Sequence, residues 1–128
     1  MDKVLTEVLA ESHDDYSIQG TVEVFFNEHK HLVVMFRCRY YENPSRSYYS
    51  YAEVSFDECT ELSRRMKVPV TGIPAYLWKK YGKELCVGTH LDAKDTFFEV
   101  LNCISASGAR YRIHENIPLR EVSSSIIP

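Results

Sequence analysis

The sequence predicts an α+β domain, an N-terminal antiparallel β-meander of about three to five strands packed against two or three C-terminal helices. Period-two patterning broken by short turn signals runs from Ser17 to Phe56, near-helical apolar spacing follows Ser55, and alternation returns at Arg110–His114.

The first segment, residues 2–11, fits two templates. Val4, Leu5, Val8 and Leu9 trace a helix face, while Val4, Thr6, Val8 and Ala10 trace a strand face. His13-Asp14-Asp15 reads as a turn. Ile18–Asn27 is β-rich, the Asn-Glu-His-Lys tetrapeptide is a tight connection, and Leu32–Tyr41 alternates cleanly. Asn43-Pro44-Ser45 marks the next turn and Tyr48–Phe56 the next strand. Leu32, Val34, Phe36, Cys38 and Tyr40 form the core face of the middle strand; Val33, Met35, Arg37, Arg39 and Tyr41 point away from it.

Ser55 with Glu58 three residues on fits a capping box, and Cys59, Leu62, Met66 and Val68 give the helix behind it an apolar stripe. Pro69 should end that helix, because the residue before a proline is pushed out of the α region. A second helix begins at Ile73-Pro74 and stops near Gly82. Residues 85–91 read as a short connection. Asp92 reads as an N-cap, and Phe97, Val100, Leu101 and Ile104 trace a third helix ending at Gly108. Arg110–His114 is the last strand. One domain spans 1–120, with a serine-rich, loose tail at 121–128.

Composition excludes several classes. The formal net charge of −3 argues against a general polyanion binder. The charge is uneven: residues 1–64 carry six Lys/Arg and twelve Asp/Glu, residues 65–128 nine and six. Such a dipolar chain has one anion-attracting side and is compatible with head-to-tail homo-oligomerisation. There is no apolar run of spanning length and no apolar leader, so no membrane partner is expected. Cys38, Cys59, Cys86 and Cys103 read as reduced core thiols, which places the protein in the cytoplasm.

No phosphate loop, CxxC or HExxH occurs, and the pairs His29/His31 and His90/Asp92 fall short of a metal ligand set. Cys59 sits in a first helical turn beside Asp57, Glu58 and Glu61, which disfavour a thiolate. No catalytic residue, metal site or cofactor is assigned.

Two surfaces point to an anionic partner, a nucleotide or nucleic acid. On the outward sheet face, a turn about Pro44 would set Arg37 opposite Tyr51 and Arg39 opposite Tyr49, guanidinium for phosphate and ring for base. Arg110 and Arg112, with His114, would extend that face. The second surface is the helix pair, where Arg64, Arg65, Lys67, Lys79, Lys80 and Lys83 lie in a span without Asp or Glu. The pair has the spacing of a helix-turn-helix, but Gly72, Ile73, Pro74 and Ala75 offer no donors to base edges, and Lys67 stands where glycine is usual.

The leading expectation is therefore a non-enzymatic binding protein. The alternatives are a protein–protein module, such as a small inhibitor or immunity-type protein anchored by tyrosines and Trp78, and a cysteine- or metal-dependent enzyme.

Overall fold

The computed structural model describes residues 3–14, 17–82 and 88–119. Five strands, β1 (Val4–Asp14), β2 (Ile18–Phe26), β3 (Leu32–Tyr40), β4 (Tyr48–Val54) and β5 (Arg112–Pro118), form one antiparallel sheet in sequence order. Three helices, α1 (Phe56–Met66), α2 (Ile73–Tyr81) and α3 (His90–Ala106), intervene between β4 and β5. The α+β architecture expected from the pattern is the one the chain adopts.

The ambiguous first segment is strand. It runs to Asp14, so His13 and Asp14 of the expected turn belong to the strand, and Asp15 lies outside the described residues. The β2–β3 connection is closed by Asn27, whose side-chain oxygen accepts from the N–H groups of both His29 and His31. At the end of β3 the β4 side of the ladder gives way to a side chain: Tyr40 N–H donates to the Ser47 hydroxyl, whereas Tyr41 N–H, donating to the Ser17 carbonyl, continues the pairing toward β2. A 3₁₀ turn at Pro44–Arg46 completes the link to β4.

Alternation sorts the strands into two layers. Ala10, Val22, Val24, Leu32, Val34, Phe36, Ala52 and Val54 are buried with Leu62, Ile73, Leu77, Phe97, Val100 and Ile104 in one core beneath the helices. α3 packs across β1, β2 and β3, and α2 lies against β1. Gly20 lets α3 approach: a Cβ there would stand 3.0 Å from both Cα and Cβ of His90.

Helix starts follow local chemistry. Ser55 caps α1 by accepting from Glu58 N–H. The reciprocal half of the expected capping box is replaced, because the Glu58 carboxylate accepts from Arg110 N–H at 2.9 Å and so ties the entry of β5 to α1. Lys67 ends α1 in the left-handed conformation, φ 60°, the conformation glycine adopts most easily. α3 starts three residues earlier than expected. Thr89 is its N-cap and Asp92 the N3 partner of a complete capping box, and Gly108 (φ 87°) follows its end. From β1, Asp14 reaches this helix start and accepts from both His90 N–H (2.9 Å) and the His90 ring (2.7 Å). Burial opposes ionisation of Asp14, yet the His90 bonds outweigh it and hold the carboxyl below its ordinary range.

No helix of the described residues is long and apolar enough to cross a membrane. The tail expected to be loose, 121–128, lies outside the described residues, as do Cys86 and residues 85–87 of the expected 85–91 connection, whose last two residues belong to α3.

Candidate functional site: the open sheet face

The second sheet face packs against none of the three helices and has its own small apolar cluster of Phe25, Val33 and Met35, flanked by Tyr49 and Tyr51. Register fixes its side chains in rows. Phe25, Val33, Glu53 and Arg112 form one; Val8, Glu23, Met35, Tyr51 and His114 the next; Glu11, Thr21, Arg37, Tyr49 and Ile117 the third; His13, Gln19 and Arg39 the last.

The sequence-predicted face is therefore assembled, with a shifted register. Arg37 stands opposite Tyr49, and Met35 opposite Tyr51. Arg39 lies beyond the last paired residue of β4 and faces Gln19 on its other side. The shift accompanies the end of the β3–β4 ladder: Tyr40 N–H donates to the Ser47 hydroxyl and not to a β4 carbonyl, so the hairpin does not turn symmetrically about Pro44. Arg112 and His114 join the face from β5, but Arg110 precedes the strand.

Tyr49 and Tyr51, two apart on β4, hold their rings 6.0 Å apart at 17°. His114 stacks on Tyr51 at 4.6 Å and 20°. Three rings thus run across β4 and β5, all half-buried. The sequence places His114 on this face with Arg112; its stacking on Tyr51 depends on a bulge at Tyr49/Tyr51, with Asn116 at φ 55°, which sets the β5 register. Burial raises the Tyr51 hydroxyl above its ordinary pKa, with Glu53 and Tyr49 adding.

Electrostatics on the face are paired. Glu23 is only 5% exposed. It accepts from Lys3 Nζ at 2.5 Å and lies 3.5 Å from the Arg37 guanidinium. A buried carboxylate needs such partners, and alternation alone gave no hint of them. Glu53 contacts the His31 ring at 2.6 Å and accepts from the Asn27 amide at 3.2 Å. The His31 bond is the main cause of its lowered pKa; burial opposes it and Asn27 assists. Gln19 donates to Glu11.

Beside the Arg112 row the face runs into a cleft of about 430 Å³ lined by His31, Glu53, Ser55, Glu58, Arg110 and Arg112. Both of its acids already accept from internal donors, Glu53 from Asn27 and Glu58 from Arg110 N–H. Among the described residues, the guanidiniums of Arg39 and Arg110 have no carboxylate partner within bonding distance.

The basic helix pair is less well placed. Ile73 and Pro74 are buried, so the start of α2 turns Thr71 and Ala75 outward in place of base-reading side chains. Arg64 is hydrogen-bonded to Glu61, and Arg65 lies 3.7 Å from the same carboxylate. Lys80 lies over the Tyr76 and Tyr81 rings. Lys67 and Lys79 are exposed, and Lys83 lies outside the described residues.

No set of three or more His, Cys, Asp or Glu side chains among the described residues is placed to hold a metal ion. Cys38 and Cys59 are fully buried. Burial pushes the Cys59 thiol up to about 11 and raises Cys38 as well.

No family model matches this chain, and neither a curated protein nor a solved structure shows significant similarity to it.

Proposed function

We propose that this protein binds a phosphate-bearing ligand with a flat aromatic part, a nucleotide or nucleic acid, on its open sheet face. The observation that carries the reading is the ring row Tyr49–Tyr51–His114 bordered by guanidiniums, Arg37 and Arg39 at one end and Arg110 and Arg112 at the other. Rings of this kind accept a base by stacking, and a guanidinium matches phosphate oxygens in a planar fork. The face is close to charge-balanced, because Lys3 and Arg37 share Glu23 while Glu11 and Glu53 lie in the rows of Arg37 and Arg112. A balanced face favours a ligand with few phosphates held by specific contacts over a long polyanion held by field. The unpaired thiols Cys38, Cys59 and Cys103 fit a cytoplasmic setting.

Calorimetric titration with a nucleotide series and short single strands tests this. Tyr49→Ala and Tyr51→Ala should each weaken binding by about 1–3 kcal/mol while the fold persists. Absence of binding by every probe, or binding that neither variant alters, would overturn the reading.

A second reading, a protein–protein module, draws support from the helical layer. There Trp78, Leu91 and Phe98 are 47%, 59% and 40% exposed. It predicts a partner lost on Trp78→Ala and untouched by Tyr51→Ala.

A further inference from the structure

We infer that the ligand of the open face is a short single strand of nucleic acid spanning at least two bases, and not a mononucleotide. The inference rests on the reading above and follows from how the face divides its charge.

The guanidiniums form two groups, not one. Arg112 sits in the row of Glu53, and Arg110 shares its cleft. Arg37 sits in the row of Tyr49, with Arg39 one row further on. Along β4, Glu53 and Tyr49 are four residues apart, about 13 Å at strand rise. Between Arg112 and Arg39 stand two ring positions, the Tyr51–His114 pair and, level with Arg37, Tyr49.

A mononucleotide has its phosphates at one end of one base. Seated on the ring row, it directs its phosphates to the cleft guanidiniums or to the Arg37 group. A strand of two or three nucleotides supplies a base for each ring position and backbone phosphates on either side, so it engages both groups together. The face also suits an unpaired strand over a duplex, since stacking on side-chain rings requires bases whose faces are free.

The cleft gives the arrangement a direction. Ser55 and Glu58 of the β4–α1 junction wall the Arg112 end, together with Arg110 and Tyr111. At the Arg39 end the row is bordered by Tyr41, which is exposed and donates its hydroxyl to Gln19. One end of the strand therefore meets a wall, and the other continues over the sheet.

The test is competition measured by fluorescence anisotropy, with a labelled uridine trinucleotide as probe and UMP and unlabelled trinucleotide as competitors. The trinucleotide should compete at least tenfold better than UMP. Its affinity should fall with salt at a slope of roughly −0.7 per phosphate engaged. Arg112→Ala and Arg39→Ala, one at each end, should each reduce that slope by roughly 0.7 and bring the trinucleotide toward the affinity of UMP. Circular dichroism confirms that both variants are folded.

Equal competition by UMP would overturn the strand inference and leave the ring-row reading standing. So would a salt slope that neither variant changes. Failure of both competitors and of direct binding would overturn the ring-row reading itself.

Discussion

The two faces of the sheet are made by the same alternating residues of the same strands, yet they meet water on different terms. On the helix side, every second residue of β2, β3 and β4 enters an apolar core closed by α1, α2 and α3. On the other side three apolar residues form the buried cluster, and the positions around them include rings, paired charges and Arg39, unpartnered among the described residues. The contrast teaches that a polar face can be ordered without a covering layer when its acids are engaged by internal donors. It also separates stability from recognition: a change on the helix side should cost folding free energy, and a change on the open side should cost binding.

That separation can be broken most forcefully at Phe97, which is 1% exposed and packs on Phe36 at a centroid distance of 6.2 Å. Phe97→Ala should cost about 3–5 kcal/mol in urea unfolding, with ligand affinity retained by the molecules that stay folded. Tyr51→Ala should cost at most about 2 kcal/mol in stability, because half-buried rings return less on burial, and should weaken binding by about 1–3 kcal/mol. If the two variants lose stability equally, the faces are not distinct in the way described.

Gly20→Val tests whether α3 rests on bare backbone. Its side chain would collide with His90, so a loss of about 1–3 kcal/mol is expected. An unchanged unfolding midpoint would mean that α3 can slide.

Acid sharpens the comparison, because each face has one carboxyl with a lowered pKa, Asp14 under the helices and Glu53 on the open side. A depressed folded-state pKa contributes stability that is present above the unfolded value, near 4, and lost as pH falls through the lower folded value. The urea midpoint should therefore drop as pH is taken from neutrality to about 3. Asp14→Asn should flatten that drop more than Glu53→Gln, because Asp14 also holds the start of α3 through His90 N–H. Equal flattening would deny the helix-capping role.

The smallest effect is expected at Lys67. Its left-handed φ of 60° is relieved by Lys67→Gly, which should raise stability by up to about 1 kcal/mol. A lowered melting temperature would show that the lysine side chain contributes something the geometry does not reveal.

Much of this molecule was legible from its residues, for identifiable reasons. Period two in Leu32–Tyr40 and the Ser55 cap are local signals, and both survive in the structure. The exposed face of β3 was likewise readable, so Arg37, Tyr49 and Tyr51 were brought to the right side of the sheet. What was not legible is long-range. The Arg37–Tyr49 register depends on where Tyr40 N–H finds a partner, and the Glu23–Lys3 and Glu53–His31 contacts join residues more than nineteen apart. The α3 start was misplaced because Asp92 carries a cap signal that fits N3 as well as the cap itself. The basic run was read as a surface, but local spacing cannot say that Ile73 and Pro74 would be buried beside it.

The position of β5 in the chain has a kinetic consequence. β1 to β4 pair with sequence neighbours across short turns, whereas β5 pairs with β4 only after all three helices have intervened. Contacts that close a long stretch of chain bear the largest entropy cost, so β5 docks late in folding and is among the first elements released. His114 and Arg112 arrive with it. A ligand seated across β4 and β5 would then act as a clasp on the last-formed seam and slow the opening of the whole sheet by mass action.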